Sequence, residues 1–276
     1  MTWQYKTVLM VGCTAGLGVA MADRMIEHGS FVIAVGRRKD RLEEFQAKHG
    51  KDRVAISQFD ITKLDEIKGW AEGIIKAHPT LDCVVLNAGI QRTLNFTQPA
   101  EIDLERVQLE ITTNYTSYIS LLAAFLPHLQ SRTASPASII GVTSGLALVP
   151  LPRCANYCAV KAALHSLLWS MRSQLGNDEG SKHIKVIEVV PPAVQTELHV
   201  LQPDLVAQGL GNIGITIEEF IESAWAGLES GQEEILVGPL KEGMGHLEDG
   251  RREAFRRFAE ATAPKGSKAV LGVDGA

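Results

Sequence analysis

The stretch Thr7–Gly29, TVLMVGCTAGLGVAMADRMIEHG, decides the fold. Thr7–Val11 is a short run, β-branched and apolar on both faces, as a strand buried in a sheet requires. Glycines at 12, 16 and 18 follow it. Apolar residues then return at helical spacing until Gly29, a good helix stop. Strand, glycine-rich turn and helix in that order leave the first-turn N–H groups free, where they can hold a phosphate. Gly12, Gly16 and Gly18, with Thr14 and Leu17 between them, therefore form a turn whose backbone can approach a pyrophosphate closely.

The pattern repeats outward. FVIAVG (31–36), VAISQFD (54–60), LDCVVLNAG (81–89), SIIGVTS (138–144), IKVIEVVPP (184–192) and EEILVG (233–238) read as further strands. Helical periodicity covers 41–50, 64–78, 101–130, 156–176 and 216–230, with a charged helix at 251–260 before a Gly/Pro/Lys tail. Alternation of this kind predicts an α/β fold: one doubly wound domain over 1–276, with about seven parallel strands and helices on both faces. The weakly periodic insert 193–215 is long enough to serve as a lid, and 239–276 forms a C-terminal extension.

Bulk composition excludes some classes. The 276 residues are 45% hydrophobic and carry a net charge of -5, which argues against nonspecific nucleic-acid or anionic-membrane binding. Cys13, Cys83, Cys154 and Cys158 make no C-x-x-C pair and lack zinc spacing, so no metal is expected. They read as free thiols in a reducing compartment. MTWQYK leads straight into the first strand without a secretory pattern, and no apolar run reaches membrane length, so a cytoplasmic protein is the expectation.

The glycine spacing, G-x3-G-x-G, resembles that of the short-chain dehydrogenase/reductase family. Further motifs match in order: Asn87-Ala88-Gly89 after strand four, Asn114 in the next helix, Ser144 at the end of strand five, and Tyr157-x3-Lys161 thirteen residues on. Tyr157 and Lys161, at i and i+4, share a helix face. Phenols titrate near 10, and a neighbouring ammonium lowers that value, which suits proton delivery. The resemblance implies that Tyr157 protonates a carbonyl oxygen as hydride arrives. It implies that Ser144 hydrogen-bonds that oxygen and that Lys161 also holds the nicotinamide ribose. Asn114 would hold a water that links Lys161 to solvent. Taken singly, Asn114 could be a structural residue in a helix kink and Ser144 a strand-end cap.

Strand two indicates the cofactor. NAD-preferring members end it with Asp or Glu, whereas here Gly36 is followed by Arg37, Arg38 and Lys39. A guanidinium pairs with a 2′-phosphate that a carboxylate would repel, so NADP(H) is favoured. Arg37 is the leading contact, Arg38 the second, and Thr14 assists. The alternative is a solvated basic helix start. The resemblance adds Asp60-Ile61 at the adenine edge, Asn87, Ala88 and Gly89 along the cofactor, and Pro191, Val194 and Thr196 at the nicotinamide.

The chain departs from the family at Pro191-Pro192-Ala193, where Pro-Gly is usual; a subgroup of reductases of unsettled substrate shares this form. The usual closing Asp-Gly-Gly has no clear match, since Val273-Asp274-Gly275 fits less well than EEILVG. Ser144, Gly145, Leu146, Val149, Cys154, Pro192, Ala193 and the lid should shape a mostly apolar substrate pocket, with Gln91 and Arg92 as exceptions. That suits a lipophilic ketone, aldehyde or secondary alcohol. An NADPH-dependent carbonyl reductase is the leading reading. Imine reduction or cyclisation in secondary metabolism, and a catalytically silent NADP sensor, are the alternatives. Self-association through the two long helices, as homodimer or homotetramer, is implied by the resemblance.

Overall fold

In the computed structural model, which describes residues 3–262, seven parallel strands pair in the order β3-β2-β1-β4-β5-β6-β7. They are β1 (Thr7–Val11), β2 (Phe31–Gly36), β3 (Val54–Gln58), β4 (Cys83–Leu86), β5 (Ala137–Val142), β6 (Ile184–Val190) and β7 (Glu234–Leu236). Every residue of β1, β4 and β5 is buried, because helices cover both faces of the sheet.

One face packs α1 (Gly16–Glu27), α2 (Lys39–His49) and α9 (Ile217–Ser230) against Val8, Met10, Val32 and Val189. The other packs α3 (Leu64–Ala77), α5 (Ser117–Ser131) and α6 (Ala155–Gly176) against Leu9, Val11, Ile139 and Val186. Alternate residues of one strand thus serve two cores. Thr216 and Glu219 form a reciprocal capping box that starts α9, and Gly231 closes it in the left-handed region. Removing such a cap costs about 1 kcal/mol.

One sequence expectation changes, and two stretches gain detail. The helix expected over 101–130 is α4 (Leu104–Ile111), a π-turn over Thr112–Thr116, and α5. Its start is fixed by Asp103, whose carboxylate accepts the Arg106 N–H at 3.1 Å. The 193–215 insert contains two short helices, α7 (Glu197–Val200) and α8 (Pro203–Ala207), closed at the base by a bridge between Val194 and Ile215. After β7, α10 (Leu240–Met244) leads through a 3-10 turn, Gly245–Glu248, into α11 (Asp249–Thr262). Val273-Asp274-Gly275 and the tail lie outside the described residues. No helix among the described residues is long and apolar enough to cross a membrane.

Candidate active site

The strand order reverses at β1 and β4, so a crevice opens beyond their C-terminal ends. Gly12 leaves β1 at φ +92°, and a Cβ there would stand 2.7 Å from the Ala88 backbone. A Cβ on Gly18 would overlap the Gly12 carbonyl oxygen and the Asn87 side-chain amide. Asn87 Nδ2 donates to that carbonyl at 3.1 Å and locks the two turns together. The glycine turn and Asn87 thus make a backbone cradle at the start of α1.

A cleft of about 640 Å³ starts at this cradle. At one end lie Arg37 and Arg38. Arg38 donates to Thr14 Oγ1 from Nε at 3.2 Å and from Nη2 at 3.0 Å, and its Nη1 donates to Glu197 Oε2 at 2.6 Å. Arg37 is exposed and makes no ion pair among the described residues. Asp60 and Ile61 line the same end. Asp60 Oδ1 is held by Thr62, from N at 3.0 Å and Oγ1 at 2.8 Å.

The other end holds Ser144, Tyr157 and Lys161. α6 places Tyr157 and Lys161 one turn apart on its buried face. Lys161 Nζ donates to the Val142 carbonyl at 2.8 Å and sits 5.7 Å from the Tyr157 ring centre. Burial lowers Lys161 to about 8, opposed by the charge of Glu188. Burial pushes the Tyr157 phenol up, while the Ser144 hydroxyl pulls it down. The lowering of Tyr157 expected from Lys161 is therefore not what the structure shows: burial dominates and raises the phenol, while Lys161 Nζ turns one of its three N–H groups to a backbone carbonyl. Ser144 Oγ accepts the Leu146 N–H at 3.1 Å and caps a 3-10 turn, so the cap reading of this serine applies as well.

Asn114 is buried in the π-turn, with Nδ2 donating to the Ile90 carbonyl at 2.7 Å and Oδ1 accepting the Ile90 N–H at 2.9 Å. π-turns free backbone groups and recur at functional sites.

Most positions singled out in the sequence reach the cleft wall: Gly12, Thr14, Gly16 and Leu17; Asn87, Ala88 and Gly89; Gly145, Leu146, Pro191, Pro192, Ala193, Val194 and Thr196. Gly18, Asn114, Val149 and Cys154 do not. Cys154 is fully buried behind Tyr157, its Sγ 3.9 Å from Cys158 Sγ, because the N-terminal end of α6 turns that face inward. Burial, then Cys158, raises its thiol to about 12, so it stays protonated.

The wall also includes Leu151, Arg153 and Met244, which were not singled out, and Leu198, His199 and Leu205 of the segment expected to help shape it. The insert is strapped across the cleft. Arg153 grips Asp204 at 2.6 and 2.8 Å and reaches Gln202 Oε1 at 2.6 Å. Thr93 Oγ1 donates to Asp204 at 3.1 Å, and Gln202 Nε2 donates to Gln91 Oε1 at 2.9 Å. The insert's length was the available signal; its partners lie too far away in sequence to read.

A phenol, a hydroxyl and an ammonium thus converge at the end of a nucleotide-sized cleft, where a proton can be exchanged with a bound oxygen. Comparison with known proteins agrees. Residues 6–204 match the family model described as short chain dehydrogenase. The chain is 36% identical over 258 residues to "Uncharacterized oxidoreductase DltE" of Bacillus subtilis, covering 92% of this chain and 95% of that one. A short chain dehydrogenase from Burkholderia cenocepacia, solved with NADP, superposes with a TM-score of 0.72 at 25% identity, over 94% of this chain and 99% of that one. An SDR from Burkholderia phymatum, solved with NAD, shares the fold at a TM-score of 0.77 and 14% identity, over 99% of each chain. On the strength of the family match and a relative aligned along nearly its whole length, the chain belongs to the short-chain dehydrogenase/reductase family of oxidoreductases.

Proposed function

We propose that the protein is an NADP(H)-dependent carbonyl reductase of a lipophilic ketone, aldehyde or matching secondary alcohol. The observation that carries this reading is one cleft running from Arg37 to the hydroxyls of Ser144 and Tyr157. Its nucleotide end fits a dinucleotide: the glycine cradle leaves space that any Cβ would fill, and the start of α1 offers free N–H groups. Arg37, with Arg38 and Thr14, holds the 2′-phosphate. Asp60 and Ile61 meet the adenine, and Pro191, Val194 and Thr196 the nicotinamide end, with Lys161 on the ribose.

Bound NADP(H) supplies or takes the hydride. Tyr157 gives its phenolic proton to the substrate oxygen, or takes one in the reverse direction. Ser144 donates to the same oxygen and offsets its developing charge. The Lys161 ammonium favours the phenolate that forms, and Asn114, on its π-turn, holds the water that restores the proton. Leu146, Leu151, Leu205 and Met244 give the substrate end an apolar wall.

The Pro-Pro-Ala sequence at 191–193 is what supports a place in the reductase subgroup of unsettled substrate. The remaining expectations belong to the same proposal: a single cytoplasmic domain, its lid at 193–215, that binds no nucleic acid or membrane. Self-association runs through the two long helical stretches, α4–α5 and α6, as a homodimer or homotetramer; Leu104, Leu109 and Ile119 are exposed on the first of them.

The test is a titration with NADPH and NADH, followed by a panel of bulky ketones and aldehydes with the tighter cofactor. NADPH preference with turnover supports the reading. Tight binding without turnover moves weight to an imine or cyclisation substrate or to a sensor, and an NADH preference overturns the cofactor assignment.

A further inference from the structure

Beneath the chemistry end lies a chain of buried polar groups with no part in the steps above. Glu188 on β6 and His165 on α6 have no exposed surface, and Glu248, on the 3-10 turn after α10, is 2% exposed. Glu188 pairs in register with Gly141 on β5 and Glu234 on β7, so it sits inside the sheet under α6. His165 Nδ1 lies 2.9 Å from both Glu188 oxygens, and Nε2 lies 3.2 Å from Glu248 Oε2.

A neutral imidazole donates from one nitrogen only. Carboxylates at both nitrogens call for the imidazolium. Burial disfavours that cation, but Glu188, Glu234 and Glu248 outweigh it and raise the His165 pKa. The outer ends are also paired. Arg251 on α11 donates to Glu248 Oε1 at 2.7 Å, and Arg252 donates to Glu234 Oε1 at 2.7 Å.

The inner end reaches the active strand. Thr143 Oγ1 donates to Glu188 Oε1 at 2.5 Å. Thr143 lies between Val142, whose carbonyl holds Lys161, and Ser144. His165 also lies one helical turn beyond Lys161 on the same face.

Resting on the reductase reading, we propose that Glu188 and His165 are positioning residues, with Glu248 completing their charge balance: together they fix the Val142–Ser144 segment and hold a negative charge beneath Lys161. The C-terminal segment after β7 is thereby tied to the reaction centre. The charge of Glu188 on β6 reaches Lys161, and the Tyr157 ring lies 5.7 Å from its Nζ on the same helix. Glu188, Glu234 and Glu248 face His165 from β6, β7 and the 3-10 turn, and Arg251 and Arg252 stand behind them on α11.

The first test needs no substrate. Ring-nitrogen NMR of the full-length protein should show His165 doubly protonated at pH 7; a singly protonated ring overturns the proposal. Lysine side-chain NMR then follows Lys161 in wild type and in Glu188→Gln. The variant should titrate Lys161 about one pH unit lower and shift the alkaline limb of kcat the same way, with NADPH affinity held within about threefold. A lower Tm with both titrations unmoved would show a merely structural role and overturn it. Should Glu188→Gln not fold, Glu248→Gln keeps the inner pair, and its His165 should lose the second proton at lower pH; an unmoved titration overturns the proposal. The NMR arms read the network even if no carbonyl compound is turned over, so failure of the reductase reading is seen separately.

Discussion

Arg38 and Glu197 meet across the mouth of the cleft, Nη1 to Oε2 at 2.6 Å, and so join the end of β2 to the first residue of α7 in the insert. Both side chains are about two-fifths exposed, 42% and 41%, so the pair contributes little stability, in the range of about 0–1 kcal/mol. Its consequence is competition: Glu197 holds a guanidinium that a 2′-phosphate would also recruit. Glu197→Gln should tighten NADPH relative to NADH by about two- to fivefold. Equal change for both cofactors would place Arg38 outside phosphate recognition.

Arg37 has no such competitor among the described residues. Arg37→Glu replaces attraction by repulsion at the 2′-phosphate. NADPH affinity should fall by at least about tenfold while NADH changes little, a difference of about 1.4 kcal/mol or more. Equal losses in parallel titrations would show that Arg37 does not read the phosphate.

Tyr157→Phe keeps the ring that packs against Leu146 and Cys158 and removes the proton. General acid–base groups contribute about 10²–10⁴-fold. Turnover should fall within or beyond that range, while NADPH binding and Tm stay near wild type. Retained turnover would sink the proposed role of Tyr157.

Lys161 sets the pH dependence. Its value near 8 lies below the ordinary lysine value of 10.5. If the ammonium is needed, kcat falls as pH rises through about 8. Stability moves the other way. Between about 8 and 10.5 the folded chain holds fewer protons than the unfolded one, so stability rises with pH across that window. Lys161→Met removes this dependence. Thermal melts should show the variant's stability relative to wild type declining from pH 8 to 10.5; a constant difference would mean that Lys161 is not desolvated as described.

The fold was legible because both-face burial demands continuous apolar runs, as in Thr7–Val11 and Ala137–Val142. Boundaries drifted where side chains or ring chemistry take over. β6 stops at Val190 because Pro191 and Pro192 carry no N–H for the ladder. The π-turn at Thr112–Thr116 has no periodic signature; it is visible only once Asn114 is seen bonded to Ile90. Motif spacing named Ser144, Tyr157 and Lys161, which meet in the cleft, since each sits at a strand end or on one helix face. It could not find His165, Glu188 and Glu248, which are brought together by the sheet from three distant elements. Nor could it separate Cys154 from the wall, because one turn of helix phase decides between wall and core.

The strap on the 193–215 insert offers the last test. Arg153 joins the loop before α6 to Asp204 by two hydrogen bonds and to Gln202 by a third. Arg153 pulls the Asp204 carboxyl below its ordinary range, so the strap is kept at neutral pH and lost in acid as the carboxyl protonates. Arg153→Met removes the charge but keeps much of the stem. It should speed proteolysis within 197–207 and raise KM several-fold, with a smaller effect on kcat, since Arg153 gives no proton to the reaction. A double-mutant cycle with Asp204→Asn should show the two changes to be non-additive; additive losses would mean that the pair does not hold the lid.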